Sequence, residues 1–142
     1  MSSKKLTTAI REAAEECGYE FHAGQQYRMD AQIVRTPAVW LLPLRLEKVE
    51  GRTRGVCHYK ATVHLLHDCP DHATEAKEAL WNRMEADAMR ICTLMCGDER
   101  VKSASATGCT AAEFTLTNRG ELSLTVDYSV QVPFTDINDC KE

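Results

Sequence analysis

The segment ELSLTVDYSVQVPF, residues 121–134, constrains the fold of this chain more than any other stretch of its sequence. Apolar and polar side chains alternate through it with almost perfect period two, the pattern of a β-strand with one buried and one solvated face. The apolar set is Leu122, Leu124, Val126, Tyr128, Val130 and Val132. Such a strand needs hydrogen-bonded neighbours and a layer over its apolar face, so we expect a sheet that is packed on one side and polar on the other.

Two segments carry the helical period and can supply that layer. Residues 3–17 place apolar side chains at helical spacing, and Gly18 suits the left-handed position just past a helix end. Residues 73–96 carry a longer apolar stripe, and Pro70 and Asp71 suit the opening turn before it. The stripes are Leu6, Ile10, Ala13 and Cys17 in the first segment, and Ala73, Ala76, Leu80, Met84, Ala88, Ile91 and Met95 in the second. Both segments are predicted to be helices.

The middle of the chain predicts a β-hairpin. Its first strand is AVWLLPLRLEKV, residues 38–49, in which Pro43 cannot donate a ladder hydrogen bond and so indicates an edge strand or a bulge. EGRTRG supplies the turn, and VCHYKATVHLLH, residues 56–67, returns as the second strand. Trp40, Leu42, Leu44 and Leu46 are predicted on one face of the first strand; the second strand divides into Cys57, Tyr59, Ala61, Val63 and Leu65 against His58, Lys60, Thr62 and His64.

A second hairpin is predicted from residues 101–117 and 121–134, joined by the turn TNRGE. The element order is then α-β-β-α-β-β, and the simplest fold of this order is α+β, with a four-stranded antiparallel sheet and two helices packed on one face. The chain, 1–142, is predicted to be a single domain with a long irregular connection at 18–37, a short strand near 32–35 and a polar C-terminal tail at 135–142.

Charge and cysteine content argue against several classes of protein. The net charge of −4 disfavours a dedicated nucleic-acid binder, which usually has a basic balance. The seven cysteines are odd in number, irregularly spaced and accompanied by no export signal, so free thiols in a reducing cytoplasm are favoured over disulfides. No apolar run approaches the roughly 20 residues that span a bilayer. We therefore expect no membrane and no sequence-specific nucleic acid among the partners.

The stretch HLLHDCPDH, residues 64–72, is the strongest candidate for metal chemistry. On a strand, His64 and His67 fall on opposite faces, so both cannot approach one zinc ion to within about 2.0–2.3 Å. A partial metal site of His67, Cys69 and His72 stays open as an alternative. We favour a solvated strand edge and turn, and predict no metal and no other cofactor.

No catalytic motif accompanies these residues. GxGxxG, GxxxxGK[ST], GxSxG and HExxH are all absent from the sequence. Cys92 and Cys96 lie four apart on the second predicted helix, a spacing that fits buried packing better than a redox or metal role. The sequence therefore predicts that this protein is not an enzyme.

Charge is distributed unevenly between two elements. Residues 45–60 hold five basic and two acidic side chains, whereas residues 71–87 hold two basic and five acidic ones. The basic set is Arg45, Lys48, Arg52, Arg54 and Lys60, and the acidic set is Asp71, Glu75, Glu78, Glu85 and Asp87. A basic hairpin and an acidic helix on one molecule could meet head-to-tail in a ring. The alternative is two unrelated solvated surfaces.

The element order resembles that of the tail-terminator or tail-completion proteins of long-tailed phages and prophages. The similar parts are PAVWLLPL (37–44), GRTRGVCHYKATVHLL (51–66), ATEAKEALWNRMEADAMRI (73–91) and ELSLTVDYSVQVPF (121–134), together with the long segment after the first helix. The resemblance implies a structural virion protein, assembled in the bacterial cytoplasm. Such proteins form hexameric rings that end the tail tube and dock the head or neck, and DNA passes through the ring.

This resemblance also implies where the contacts of a ring would lie. Pro43 and the turn at 52–54 become candidates for an exposed edge and a protruding tip. The interface candidates are therefore Pro43, Arg45, Lys48, Arg52 and Arg54 on the hairpin, and Glu75, Glu78 and Glu85 on the helix. The partners would be further copies of the chain and other tail or neck proteins.

Two other functions stay open. The first is a small cytoplasmic adaptor that binds another protein through the polar sheet face, which would hold Lys60, Thr62, His64, Thr125, Asp127 and Ser129. The second is a metal-dependent nuclease or other small enzyme, since homing endonucleases of the LAGLIDADG type share the element order. Those enzymes need acidic residues at the end of their signature helix, and that signature is absent here.

Overall fold

The computed structural model describes residues 2–32, 35–69, 73–111 and 121–134. Three helices in these ranges are α1 (Ser2–Glu16), α2 (Met29–Gln32) and α3 (Thr74–Cys96), and a 3-10 turn covers Gln26–Arg28. The strands are β1 (Glu20–Ala23), β2 (Ala38–Leu41), β3 (Arg45–Gly51), β4 (Gly55–His67), β5 (Ser103–Ala111) and β6 (Leu122–Phe134). The two long helices and the strands β4 and β6 agree with the sequence-based prediction within one or two residues.

The six described strands form one mixed sheet in the order β1-β2-β4-β6-β5. Strand β3 lies off this path and pairs with the first half of β4, while β2 pairs with the second half of the same strand. The β1–β2 pair is parallel and all the others are antiparallel. The α+β class is therefore confirmed, but the prediction of four antiparallel strands is wrong.

One of the two additional strands, β1, comes from the connection predicted to be irregular. Gly18 has a φ of +89°, which ends α1 as expected and turns the chain into β1. Strand β1 then pairs with the edge of β2. The 3-10 turn and α2 belong to the connection between these two parallel strands. The short strand predicted near 32–35 is wrong at its start, because Gln32 ends α2; residues 33–34 lie outside the described ranges.

Pro43 divides the first predicted strand of the hairpin into β2 and β3. The amide of Leu42 still donates to the carbonyl of Thr62 at 3.0 Å, but Pro43 has no amide to continue the ladder. The interruption also changes the side of the sheet on which the leucines pack. Leu42 packs with Trp40 on one side of the sheet, and Leu44 packs on the other. The prediction that Trp40, Leu42, Leu44 and Leu46 share one face is therefore wrong.

The main core lies between the sheet and the two long helices. The side chains predicted to face inward from β4 and β6 are buried there, apart from the half-buried Leu122, against Leu6 and Ile10 of α1 and Met84 and Ile91 of α3. The hydroxyl of Tyr128 donates to the carbonyl of Ala88 at 2.7 Å and so attaches α3 to β6. A second, smaller cluster on the opposite face contains Met29, Ala38, Trp40 and Leu66.

Several predictions fall outside the described ranges. Strand β5 ends at Ala111, so the part of the predicted strand at 112–117 is among the residues that the structure does not describe, as are Pro70, Asp71 and the tail at 135–142. The six cysteines within the described ranges are free thiols. No described helix is long and apolar enough to cross a membrane.

Candidate functional site

The first candidate surface is the hairpin arm, defined here as residues 45–60. All seven residues of β3 are exposed, and so are the turn residues 52–54. The turn is tight, because a Cβ atom on Gly55 would lie 1.8 Å from the carbonyl oxygen of Glu50. Among the predicted interface residues, Pro43, Arg45, Lys48, Arg52 and Arg54 are all exposed.

Two apolar side chains of the arm are also exposed. Leu46 and Val49, 49% and 46% exposed, pair across β3 and β4 with Tyr59 and Cys57, which belong to the main core. Cross-strand partners share a face, so these two residues lie on the side of the sheet that carries the helices. Neither α1 nor α3 packs extensively against β3, so this pair forms an apolar ledge beside the core.

The arm keeps an excess of positive charge. Glu50 is compensated locally, since its Oε1 lies 2.6 Å from Nε2 of His58 and 3.5 Å from Nζ of Lys48. The contact with His58, followed by the charge of Lys48, lowers the pKa of the Glu50 carboxyl. Within the described ranges, Arg45, Arg52 and Arg54 make no ion pair, so their charge is available to a partner.

The second candidate surface is the acidic stripe of α3, defined here as Glu75, Glu78, Glu85 and Met89. All four residues are exposed, Met89 by 52%, and they fall within about 80° of one another at 3.6 residues per turn. The three glutamates make no ion pair with any described residue.

The arm and the stripe lie toward opposite edges of the sheet. Helix α3 packs chiefly on β5, which is one edge of the strand order, whereas β3 borders the other side of β4. Glu85 is close enough to β5 that its charge, after burial, helps to raise the pKa of the Cys109 thiol. One molecule therefore presents unlike charges in two directions.

A third candidate is the polar sheet face that the adaptor hypothesis requires. The six residues share one face as predicted, because they form three cross-strand pairs of β4 and β6: Lys60–Ser129, Thr62–Asp127 and His64–Thr125. The prediction that this face is exposed is wrong for His64, which is buried. The hydroxyl of Thr62 donates to Oδ1 of Asp127 at 2.6 Å, and Nδ1 of His64 lies 2.8 Å from the hydroxyl oxygen of Thr125. Much of this polarity is thus paired within the sheet rather than available to a partner.

His67, the first of the proposed metal ligands, is engaged in a buried polar chain. The hydroxyl of Tyr19 donates to Oδ2 of Asp87 at 2.6 Å, and Nε2 of His67 lies 2.7 Å from the same hydroxyl oxygen. Because the single proton of Tyr19 goes to Asp87, Nε2 of His67 must be the donor in the second bond. Burial and Asp87 raise the pKa of Tyr19, and burial lowers the pKa of His67.

This geometry leaves only Nδ1 of His67 for a metal. Cys69 is buried next to the end of β4, and His72 lies outside the described ranges. Among the described residues, no group of three or more histidine, cysteine, aspartate or glutamate side chains is placed to hold a metal ion. The three-ligand site therefore stays an untested alternative to the prediction that no metal is bound.

Two polar features were missed by the sequence analysis. One is the Tyr19–Asp87 contact, which joins residues 68 positions apart. The other is Arg100, whose Nη2 contacts Glu12 of α1 and, at 2.7 Å, Oδ2 of Asp98 after α3. Neither the Tyr19–Asp87 contact nor the Arg100–Glu12 contact has a local sequence signal, because only the packed fold brings these residues together.

Comparison with protein-family models and with curated proteins found no match to this chain. A functional proposal therefore depends on the geometry of the arm, the stripe and the polar face.

Proposed function

We propose that this chain is a structural subunit that self-associates head-to-tail into a ring, of the tail-terminator type that its element order resembles. The observation that carries the proposal is the hairpin arm. In the described part of the chain, β3 pairs only with β4, so its outer edge has unpaired backbone groups beside two exposed apolar side chains. The charged side chains of β3 and its bulge after Leu46 limit plain strand addition at this edge, so the exposed apolar pair is the feature that supports a partner on the arm.

The position of the two charged surfaces favours a ring over a symmetric dimer. In a two-fold dimer centred on the arm, each arm would meet the arm of its copy, so three unpaired arginines from each subunit would face one another. A basic arm and an acidic stripe toward opposite edges instead allow each subunit to bind one neighbour at each side. Contacts of this heterologous kind produce closed rings when the rotation between subunits closes.

The remaining details of the proposal follow from the resemblance. The ring would be hexameric, would end a tail tube and dock the head or neck, and would be part of a virion assembled in the bacterial cytoplasm. No step of this function needs catalysis or a cofactor, and DNA would pass through the lumen without being read.

The adaptor is the second candidate. It is supported by the part of the polar sheet face around Ser129 and Ser105, which are exposed and are not covered by either long helix of the described residues. An adaptor of this kind would bind a different protein and would not need the arm.

Solution mass separates the two candidates. The purified chain, kept reduced, should give a mass several times its 15.9 kDa by light scattering across a concentration series, and negative-stain images should show closed rings with a central hole. The variant Leu46→Asp/Val49→Asp should stay monomeric, whereas Ser105→Asp on the polar face should assemble normally. A stable dimer, or a monomer at every concentration, would contradict self-assembly into rings and leave the adaptor as the better candidate.

A further inference from the structure

The exposed apolar side chains single out the two surfaces that would meet. Among the described residues, the large hydrophobic side chains that stay exposed are Leu46, Val49 and Met89. Two of them form the ledge on the basic arm, and the third lies in the acidic stripe of α3. On each surface, exposed apolar side chains therefore lie beside unpaired charge, which is positive on the arm and negative on the stripe.

The position of the ledge indicates what kind of element would cover it. Leu46 and Val49 face the helix side of the sheet and continue the apolar surface of Tyr59 and Cys57 outward. The main core is covered by α1 and α3, but β3 lies beyond them. A further helix laid beside them, at the usual separation of about 8–10 Å, would bury the ledge and extend the helix layer.

The spacing of charges on the stripe fits the arm. Glu85 lies one helical turn before Met89, and Glu78 lies about 16 Å away along the axis at 1.5 Å per residue. On the arm, Arg52 lies about 20 Å from Leu46 at 3.3 Å per residue. Arg52 lies only about 10 Å from Val49 at the same rise per residue. A methionine seated at the Val49 end of the ledge therefore leaves Glu85 about 4 Å short of Arg52 and Glu78 about 6 Å beyond it, so both glutamates are within reach of the arginine side chains at the tip.

We infer that the occupant of the apolar ledge is α3 of a second copy of this chain, with Met89 against Leu46 and Val49 and with Glu78 and Glu85 facing Arg52 and Arg54. This inference rests on the proposed self-association and specifies its contact. Each copy gives an arm on one side and receives an arm on α3 at the other side, so the interface is heterologous.

Mixing two one-sided variants tests this arrangement. Leu46→Asp/Val49→Asp removes the ledge, and Glu85→Lys/Met89→Asp removes the stripe. Each variant alone should be monomeric by light scattering, but an equimolar mixture should give a species of twice the chain mass, because one intact ledge and one intact stripe remain. Circular dichroism and thermal melting of each variant establish that it is folded.

Charge exchange gives a second measurement that does not depend on apolar contacts. Arg52→Glu/Arg54→Glu and Glu78→Arg/Glu85→Arg should each weaken assembly at least tenfold, and their combination in one chain should restore it. The matched control is Arg90→Glu, which changes an exposed charge on a different side of α3 and should leave the mass unchanged.

The possible failures are distinguishable. If the wild-type chain assembles and the stripe variants assemble equally well, the occupant of the ledge is another element and this inference is wrong, while the proposed ring stands. If the two one-sided variants stay monomeric on mixing although the wild type assembles, the contact is not ledge to stripe. If the wild-type chain never assembles, the proposed function itself is contradicted.

Discussion

The two halves of β4 have opposite surroundings although they belong to one continuous strand. From Gly55 to Lys60 the strand is bordered by β3, which is exposed along its whole length. From Val63 to Leu66 it is bordered by β2, and both strands are buried there on both faces. The boundary coincides with Pro43, where the neighbouring strand is interrupted. The half of β4 beside β2 thus lies in the buried part of the sheet, and the half beside β3 supports an arm that extends into solvent.

The buried half owes its second covered face to the connection after α1. Met29 of α2 packs with Trp40 and Leu66, and the indole Nε1 of Trp40 donates to the carbonyl of Gly24 at 3.0 Å. Gly24 permits this approach, since a Cβ atom there would lie 3.2 Å from the indole ring. Among the described residues, no corresponding layer lies over the arm, so substitutions in the two halves should have very different consequences.

The largest effect should come from Trp40→Ala. This side chain is fully buried, and truncation of a buried tryptophan typically costs about 3–5 kcal/mol in the free energy of unfolding. Chemical denaturation of the variant and the wild type measures the loss. The matched control is Leu46→Ala on the arm, which should cost less than about 1 kcal/mol because the side chain is already half exposed. Equal losses at the two sites would refute the division of the sheet.

A smaller and more local effect is expected from Gly55→Ala. The added Cβ would lie 1.8 Å from the carbonyl oxygen of Glu50, so the turn of the arm must open, at a cost of about 1–3 kcal/mol. Hydrogen exchange should show faster exchange for amides of β3 and unchanged exchange for those of β2. Thr53→Ala, an exposed change in the same turn, should alter neither set. Faster exchange throughout the sheet would mean that the arm and the buried half unfold as one unit.

The sequence predicted the parts of this fold that depend on local periodicity. The alternation in β6, the alternation in β4 and the apolar stripe of α3 each repeat every two or 3.6 residues, so neighbours in sequence are enough to find them. The charged arm and the charged helix were predicted by counting charges over short segments, and the eight interface candidates are exposed in the structure. Asp87 of the predicted acidic set is instead half-buried and accepts the hydrogen bond from Tyr19.

The parts that depend on distant contacts were not predictable in this way. Strand β1 has only four residues, and its place beside β2 is decided by the edge that β2 leaves open. The change of face at Pro43 could be predicted only by knowing which residues of the neighbouring strands pair with β4. The contact between His67 and Tyr19 joins positions 48 apart, so a histidine that looked like a solvated strand end is buried.

Acid should weaken the buried half by a smaller amount than either substitution. Burial lowers the pKa of His64 and of His67, so both are neutral when folded and protonate more readily when unfolded. The unfolded chain therefore binds more protons, and stability is full above the ordinary histidine pKa of about 6.5 and falls as pH drops toward the folded values. Thermal melting between pH 7.5 and 5 measures the decline.

The pH dependence has its own control. His64→Gln/His67→Gln removes both titrating groups, while the glutamine at 67 keeps an N–H donor for Tyr19. The melting temperature of this variant should change less between pH 7.5 and 5 than that of the wild type. An identical decline in both proteins would assign the acid sensitivity to other groups.

The smallest effect should come from Arg100→Ala. This variant tests whether the residues that stabilise the fold are different from the residues that contact a neighbouring subunit, as the two halves of β4 indicate. Arg100 joins Asp98 to Glu12 of α1, and it lowers the pKa of the Asp98 carboxyl. The bridge should therefore contribute above the ordinary aspartate pKa and be lost as pH falls through the lowered value. Its members are partly exposed, so we expect a loss of about 0.5–1 kcal/mol at neutral pH, smaller at high salt. Lys102→Ala is the matched control and its free energy of unfolding should equal that of the wild type.

Since Arg100 lies on neither the arm nor the acidic stripe, the Arg100→Ala variant should keep the wild-type solution mass. A change in mass would show that the contact surface extends to the α1–α3 layer.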